Sequence, residues 1–471
     1  MDLQTVDPAN VERVGSWDVY SWPELGEVRG WIALRIPLPV EPGTPYLKNG
    51  WQSWSPTGES RLGGSVVRAP VGAVLLHPIA EPSYDGDESY DVLAADGFVA
   101  GFVEGGGILV ARPRQRELLA IREGHGPHPA IWAAQGDRAT LVDDLLTRIH
   151  GRVPERMPLG WCSWYGRFAD ISEDAIAADL EEASAVSDVL DVFQVDDGYQ
   201  RAVGDWRDTN ERFPSGLSAL AHRIAKAGFT PAVWTAPFLV APDSRLAAER
   251  PDWILRDSSG LALPAMWNPH WGGVVHALDV SRPDVLDWIE GLFRDLVAFG
   301  FRYLKLDFLY AAALTGAPAR PMTGEQRLRA ALAAIRRGAG EDAFLVGCGC
   351  PLWPAIGICD AMRIGPDVAP YWSAGDDDAG EPWSKPSLEN AWRAAVARSP
   401  FHRRLWLNDP DCVMLRRRTT ELTLEQSRAW VRWVAESGQL LVFSDRFEDL
   451  DREDLELWRE LAAGRRAFGR R

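Results

Sequence analysis

Four short segments of this chain carry carboxylates placed for acid–base chemistry. They are Asp196-Asp197-Gly198-Tyr199, Lys305-Leu306-Asp307-Phe308, Arg363-Ile364-Gly365-Pro366-Asp367 and Asn408-Asp409-Pro410-Asp411. Each ends an apolar run, where desolvating a carboxylate is costly unless it has a partner or a task. An ion pair or helix cap accounts for any one of them equally well; four together point to a site. Two carboxylates facing each other across a sugar are the minimum equipment for glycoside hydrolysis, one attacking or directing the attack and the other protonating the leaving oxygen. Asp307 and Asp367 form the natural pair. Lys305 lies two residues before Asp307, on the same strand face, and would hold it ionised as a nucleophile. The competing reading is a buried structural Lys–Asp pair. Asp367, in a Gly-Pro turn near Tyr371 and Trp372, has a partly apolar setting that would raise its pKa and keep it protonated as an acid. Asn408-Asp409-Pro410-Asp411 is weighted toward fixing a turn through side-chain to backbone bonds.

The elements that must position these groups follow from the hydropathy rhythm. Beyond Arg152-Val153-Pro154, strand candidates fall at 160–165, 189–196, 229–235, 301–308, 343–348, 360–365, 404–408 and 439–444. Helical stretches at 174–184, 218–227, Pro283–Phe299, 324–338, 388–399 and 423–436 alternate with them, and 451–463 reads as a last helix. Eight such units predict a (β/α)8 TIM barrel, whose active site lies at the C-terminal strand ends. A doubly wound sheet would need a glycine-rich nucleotide turn after its first strand, and Trp161-Cys162-Ser163-Trp164-Tyr165 is not one. Upstream, short alternating runs at 28–36, 66–76, 98–103 and 108–112, broken by Gly, Pro and Asp, predict a β-sandwich. The expected architecture is therefore α/β: an N-terminal β-sandwich domain over 1–150, then a barrel over 151–471.

Composition narrows the partners. The 471 residues exceed one small module, and 46% hydrophobic with 25% charged residues is ordinary for a globular chain. A net charge of −17 disfavours nucleic acid and anionic lipid surfaces. Five scattered cysteines fit reduced thiols, and neither a signal peptide nor a long apolar span is visible, so the expected compartment is the cytoplasm. The unusual count is 22 tryptophans, several in polar surroundings such as Asn49-Gly50-Trp51-Gln52-Ser53-Trp54-Ser55. An aromatic face with polar neighbours suits a sugar, which stacks by its C–H face and hydrogen-bonds by its hydroxyls; core packing is the equal alternative.

The segments Trp161-Cys162-Ser163-Trp164-Tyr165, Gln194-Val195-Asp196-Asp197-Gly198-Tyr199-Gln200, Tyr303-Leu304-Lys305-Leu306-Asp307-Phe308, Gly347-Cys348-Gly349-Cys350-Pro351-Leu352 and Met362-Arg363-Ile364-Gly365-Pro366-Asp367-Val368-Ala369-Pro370 occur in order over roughly 150–445. Together they resemble the α-galactosidases of glycoside hydrolase family 36. The Asn49–Ser55 stretch is similar to that family's N-terminal β-domain, from which a tryptophan reaches over the barrel mouth. The resemblance implies that Asp307 is the nucleophile and Asp367 the general acid/base, with net retention. It implies that Asp196 and Asp197 accept from the 4- and 6-hydroxyls of galactose. It further implies Lys305 on hydroxyls beside the nucleophile, Cys348 and Arg363 near the 2-hydroxyl, Tyr165 at the site, and Trp234 with Trp51 or Trp54 as apolar walls. Retention implies carboxyls roughly 5–5.5 Å apart. Family members usually carry a further C-terminal β-domain, which is expected to be absent here, and the basic tail from Gly464 to Arg471 reads as flexible.

The expected partner is a small-molecule carbohydrate, and the mechanism calls for no metal, nucleotide or flavin. Cys348-Gly349-Cys350 lacks the second pair that a structural zinc wants, and Asp376-Asp377-Asp378 lacks the alternation of a calcium loop. His270 and His276, in a Trp-rich loop, read as packing before substrate contact. Rival readings are galactosyl transfer or α-N-acetylgalactosaminidase action on the same barrel, and a non-catalytic sugar-binding protein.

Overall fold

The computed structural model describes residues 3–24, 30–63, 84–124, 130–375 and 385–468. The expected strand at 66–76, the start of the run at 28–36 and Asp376-Asp377-Asp378 lie outside them.

Two sheets, antiparallel but for one pair, form the N-terminal sandwich. One has five strands in the order Leu3–Val6, Trp31–Pro37, Glu117–Glu123, Ile108–Arg112, Asp87–Tyr90, with the first pair parallel. The other has seven, in the order Asn10–Val14, Trp17–Ser21, Ile131–Gly136, Gly97–Phe102, Val92–Ala95, Pro45–Lys48, Gly58–Arg61. The expected alternation is visible in Trp31–Pro37, where Ile32, Leu34 and Ile36 are buried while Arg35 and Pro37 are exposed. Helix Arg138–Thr147, capped by the Asp137 carboxylate on the Thr140 amide, leads toward the barrel.

The barrel is a sheet of eight parallel strands: Leu159–Cys162, Val192–Val195, Thr230–Thr235, Tyr303–Leu306, Phe344–Gly347, Ala361–Arg363, Leu407–Asp409 and Leu441–Phe443. Each falls inside or against an expected strand, but only three to six residues of each run pair. Flanking residues leave the ladder to carry the site: the first run ends at Cys162 and becomes the turn Trp164–Arg167. Between the seventh and eighth strands the ladder is replaced by three backbone bonds, Leu440 N–H to Asn408 O at 2.8 Å, Val413 N–H to Val442 O at 2.7 Å and Ser444 N–H to Val413 O at 3.1 Å. Helices begin where the sequence supplies caps; Thr323 with Gln326 and Thr423 with Gln426 form capping boxes before Gly324–Ala339 and Leu424–Ser437. The fifth and sixth strands are joined without an α-helix, by a turn containing Trp353–Ala355. Of the tail expected to be flexible, the described part is helical instead: Arg452–Phe468 is one helix, and the Arg465 guanidinium donates to the Gly438 carbonyl at 2.8 Å. That bond, with the others Arg465 makes, ties down a segment whose composition alone reads as solvated.

Seven tryptophans, Trp17, Trp161, Trp206, Trp234, Trp406, Trp430 and Trp458, are fully buried, so packing accounts for much of the tryptophan excess. No helix among the described residues is long and apolar enough to cross a membrane.

Candidate active site

The fourth strand ends at Leu306, and the next residue, Asp307, has both carboxylate oxygens engaged. Its Oδ2 accepts from the Trp234 indole N–H at 2.9 Å, and its Oδ1 from the Phe308 amide at 2.8 Å. Phe308 itself is in the left-handed region, φ 53°, a conformation that costs a non-glycine residue about 1 kcal/mol or more. Trp234 stands at the end of the third strand, its ring edge-on to Trp206 at 5.6 Å and tilted against Trp271 at 5.9 Å.

Lys305 does not pair with Asp307 as expected. Its Nζ donates to Asp196 Oδ2 at 3.0 Å, across to the second strand. Lys305 lies within the fourth strand and Asp196 directly follows the second, and the same Asp196 oxygen accepts from Gln194 Nε2 at 2.7 Å. Burial opposes the Lys305 charge, but Asp196 first, then Cys162 and Asp307, more than restore it, so the ammonium is held on. Asp197 uses the other side of the turn: Oδ1 accepts from Gln200 at 2.6 Å and Oδ2 from the Trp271 indole at 2.9 Å. Burial pushes its carboxyl up to about 6; these two bonds resist, while Asp196 and Asp307 add to the rise.

Asp367 follows the sixth strand. Its Oδ1 is paired with Arg363 Nη1 at 2.9 Å, and 39% of its side chain remains open to the cleft. Its pKa is pushed up to about 6, chiefly by burial, with Asp411 and Asp307 raising it further and Arg363 and Lys305 opposing. The expected shift is thus present, but the charged neighbours Asp411 and Asp307 contribute to it where the sequence pointed to Tyr371 and Trp372.

The Asn408–Asp411 turn serves as the support for this acid. Asp411 is fully buried and accepts from Arg363 Nη2 at 2.6 Å, the Val368 amide at 2.8 Å, its neighbour Cys412's amide at 2.6 Å and the Tyr165 hydroxyl. Tyr165 is therefore spent on Asp411, and Arg363 bridges Asp367, Asp411 and, at 3.5 Å, Asp409. Cys348, at the end of the fifth strand, is buried among Asp307, Arg363, Lys305 and Asp367, and burial raises its thiol pKa so that it stays neutral.

The Asn49–Ser55 turn delivers its two tryptophans to different places. Trp54 sits at the barrel mouth, edge-on to Phe308 at 5.2 Å and Tyr310 at 6.2 Å. It lies so close over Gly349 that a Cβ there would come within 2.7 Å of its ring, and Gly349 also has φ 54°. Trp51 lines a separate cavity that none of the four strand-end carboxylates Asp196, Asp197, Asp307 and Asp367 borders. The turn is held by Arg398, fully buried, which donates to Asn49 Oδ1 and to the Gly50, Gln52, Ser53 and Ile364 carbonyls at 2.8–3.2 Å.

Sequence reading missed Trp271, Arg398 and the supporting part of Asp411. Trp271 tips a hairpin of Pro264–Asn268 and Gly273–Ala277; the Trp-rich character of the loop is the signal in the sequence that points to it. His270 is exposed, and His276 is half-buried with its pKa lowered by burial.

A sequence model of the family described as Melibiase matches residues 142–335. The solved α-galactosidase TtGalA of Thermus thermophilus, in complex with p-nitrophenyl α-D-galactopyranoside, is 33% identical, with 97% of this chain and 91% of that one covered and a TM-score of 0.81. The α-galactosidase AgaA of Geobacillus stearothermophilus, in complex with 1-deoxygalactonojirimycin, shares the fold at a TM-score of 0.62 and 14% identity, with 93% of this chain and 62% of that one covered. Among curated sequences, an α-galactosidase of Escherichia coli is 28% identical over 151 residues, 30% of this chain and 20% of that protein. The matched part spans about a fifth of the length of that relative.

Proposed function

The chain belongs to the melibiase family, and on that premise we propose that it is a retaining, exo-acting α-galactosidase that removes terminal α-D-galactosyl residues from oligosaccharides. The observation that carries this is the contrast between two carboxyls at one barrel mouth. Asp307 is fixed by an indole N–H and a backbone amide, while Asp367 is raised toward neutrality and feels Asp307 as a neighbouring charge. Such divergence between two carboxyls is the pattern of nucleophile and acid.

In the first step Asp307 Oδ1 or Oδ2 bonds to the anomeric carbon as the glycosidic bond breaks, and the Asp367 proton passes to the departing oxygen. In the second, water attacks that carbon, Asp367 takes the water's proton, and the bond to Asp307 breaks. Two inversions give retention. Asp196, with Lys305 at its side, and Asp197, steered by Trp271, supply acceptors for the 4- and 6-hydroxyls, and Trp234 and Trp54 supply the apolar walls. TtGalA has also been solved in complex with stachyose, which makes raffinose-type oligosaccharides the substrates to try first.

The test is hydrolysis of an aryl α-D-galactoside followed by NMR of the first-formed anomer, with Asp307→Ala alongside. The expected result is α-galactose first, loss of turnover in Asp307→Ala, and its recovery with azide as β-galactosyl azide. First-formed β-galactose would overturn retention, and preference for the aryl α-N-acetylgalactosaminide would change the substrate.

A further inference from the structure

One wall of the mouth comes from outside the barrel strands. After the third strand, Leu239–Val240 and the hairpin of Pro264–Asn268 and Gly273–Ala277 pair as a small antiparallel sheet. Ala265, Met266, Val275 and Ala277 are buried, so both arms of the hairpin are anchored. The turn between them, Pro269–Trp271, brings Trp271 to the mouth. Its ring is tilted against Trp234 at 5.9 Å and edge-on to Phe308 at 5.2 Å, and its indole N–H donates to Asp197 Oδ2 at 2.9 Å. Two successive glycines of positive φ, Gly272 at 80° and Gly273 at 114°, let the chain turn back directly after it.

Trp271 also borders a cavity of about 270 Å³. Asp197 borders it too, whereas Asp196, Trp234, Lys305, Asp307, Phe308 and Asp367 do not. The hydrogen-bonded pair of Asp197 and Trp271 is therefore common to the mouth and to this cavity, and is the partition between them. The lining beyond the pair is polar, with Gln200, Arg201, Asn210 and Asp243. Asp196 has no such space beside it, since its Oδ2 already accepts from Lys305 and Gln194. A group attached to a hydroxyl that Asp197 receives would have room on the cavity side alone, and Trp271 stands in the way.

We infer that Trp271 determines exo specificity: its ring ends the galactose pocket beside Asp197 and shuts out a galactosyl unit that carries a substituent on the hydroxyl Asp197 receives. Resting on the α-galactosidase reading, this gives the barrel the two reacting carboxyls and the hairpin the demand for a terminal, unsubstituted galactose. A closed pocket discriminates against one added methylene-sized group by about 10- to 200-fold. Trp271 therefore acts on which sugar enters, and takes no part in bond making or breaking.

Steady-state hydrolysis of an aryl α-D-galactoside and of its 4-O-methyl and 6-O-methyl derivatives tests it, in the native protein and in Trp271→Phe, Trp271→Leu and Trp271→Ala. Phe keeps a ring in the partition and lacks the N–H, whereas Leu and Ala open it. The quantity read is kcat/KM for each methylated substrate divided by that for the parent, a ratio that a general loss of activity from a loosened Asp197 leaves in place. For at least one derivative the ratio is expected to rise about 10-fold in Trp271→Ala, to rise less in Trp271→Leu and to stay unchanged in Trp271→Phe. Ratios that stay unchanged in both Leu and Ala variants, an equal rise in Trp271→Phe, or loss of all turnover in both Leu and Ala variants would overturn the proposal. No turnover of the parent galactoside by the native protein would instead overturn the hydrolase reading itself, so the two failures are told apart.

Discussion

Arg398, one residue beyond the barrel helix Leu388–Ala397, donates from Nε to the side-chain oxygen of Asn49 at 2.9 Å, and so ties the sandwich to the barrel at the turn that carries Trp54. Its remaining donors serve backbone carbonyls, which no smaller residue can replace together. Arg398→Ala is expected to lower stability by about 3–5 kcal/mol, because several buried acceptors lose their partner at once. With Trp54 loosened, KM for an aryl galactoside should rise more than kcat falls. Denaturant unfolding with steady-state kinetics checks both, and an unchanged KM in a folded variant would sever Trp54 from substrate binding.

Trp234→Phe keeps an aromatic wall and removes the N–H that holds Asp307 Oδ2. A hydrogen bond to a charged group contributes about 1.5–3 kcal/mol, so kcat should fall by about 10- to 100-fold. Single-turnover rates would show the loss in the first chemical step. Retention of full kcat would mean that Asp307 is oriented by the Phe308 amide alone.

The pH profile follows from Asp367. The group must be protonated to act as an acid, its pKa is raised to about 6, and kcat/KM should therefore fall as pH rises through that value. Asp411→Asn removes a charge that raises this pKa and frees Arg363 to lower it; both effects have the same sign. The alkaline limb should move to lower pH by about one unit. A limb that stays in place would assign it to another group.

Asp197 links the site to stability. Its folded-state pKa is raised to about 6, so its favourable contribution is complete below the unfolded value and is lost as pH rises through 6. The full cost of ionising it is about 3 kcal/mol. Asp197→Asn should flatten the fall in unfolding free energy between about pH 4 and 7 by close to one proton, while losing galactoside turnover. Parallel pH curves for the two proteins would refute the assignment.

The barrel was legible because each strand is an apolar run closed by a polar break, a pattern local to a few residues. The carboxylates could be placed at strand ends for the same reason. What stayed hidden were contacts between distant segments. The Lys305 Nζ lies within reach of either Asp196 or Asp307, and only the packing of the second strand beside the third and the third beside the fourth brings Asp196 to it. Arg398 looks like any arginine near a helix end, since its partners are mostly carbonyls that leave no trace in side-chain composition. Trp51 and Trp54 differ by one helical turn's worth of sequence, and the tight Gly50–Ser55 geometry, not residue type, sends them to opposite sides.

The barrel is a split ring. Six of its neighbouring strand pairs, and the join of the first strand to the eighth, are ladders, whereas the seam between the seventh and eighth strands has three backbone bonds, two of them at the single bridge of Val413 with Phe443. The chain that crosses this seam, Asp409 to Val413, is the same one that anchors Arg363 and Tyr165 through Asp411. Any spreading of the gap would carry Asp411 with it and slacken the pairing at Asp367. The join with the fewest inter-strand bonds in the scaffold is therefore also the mount of the acid.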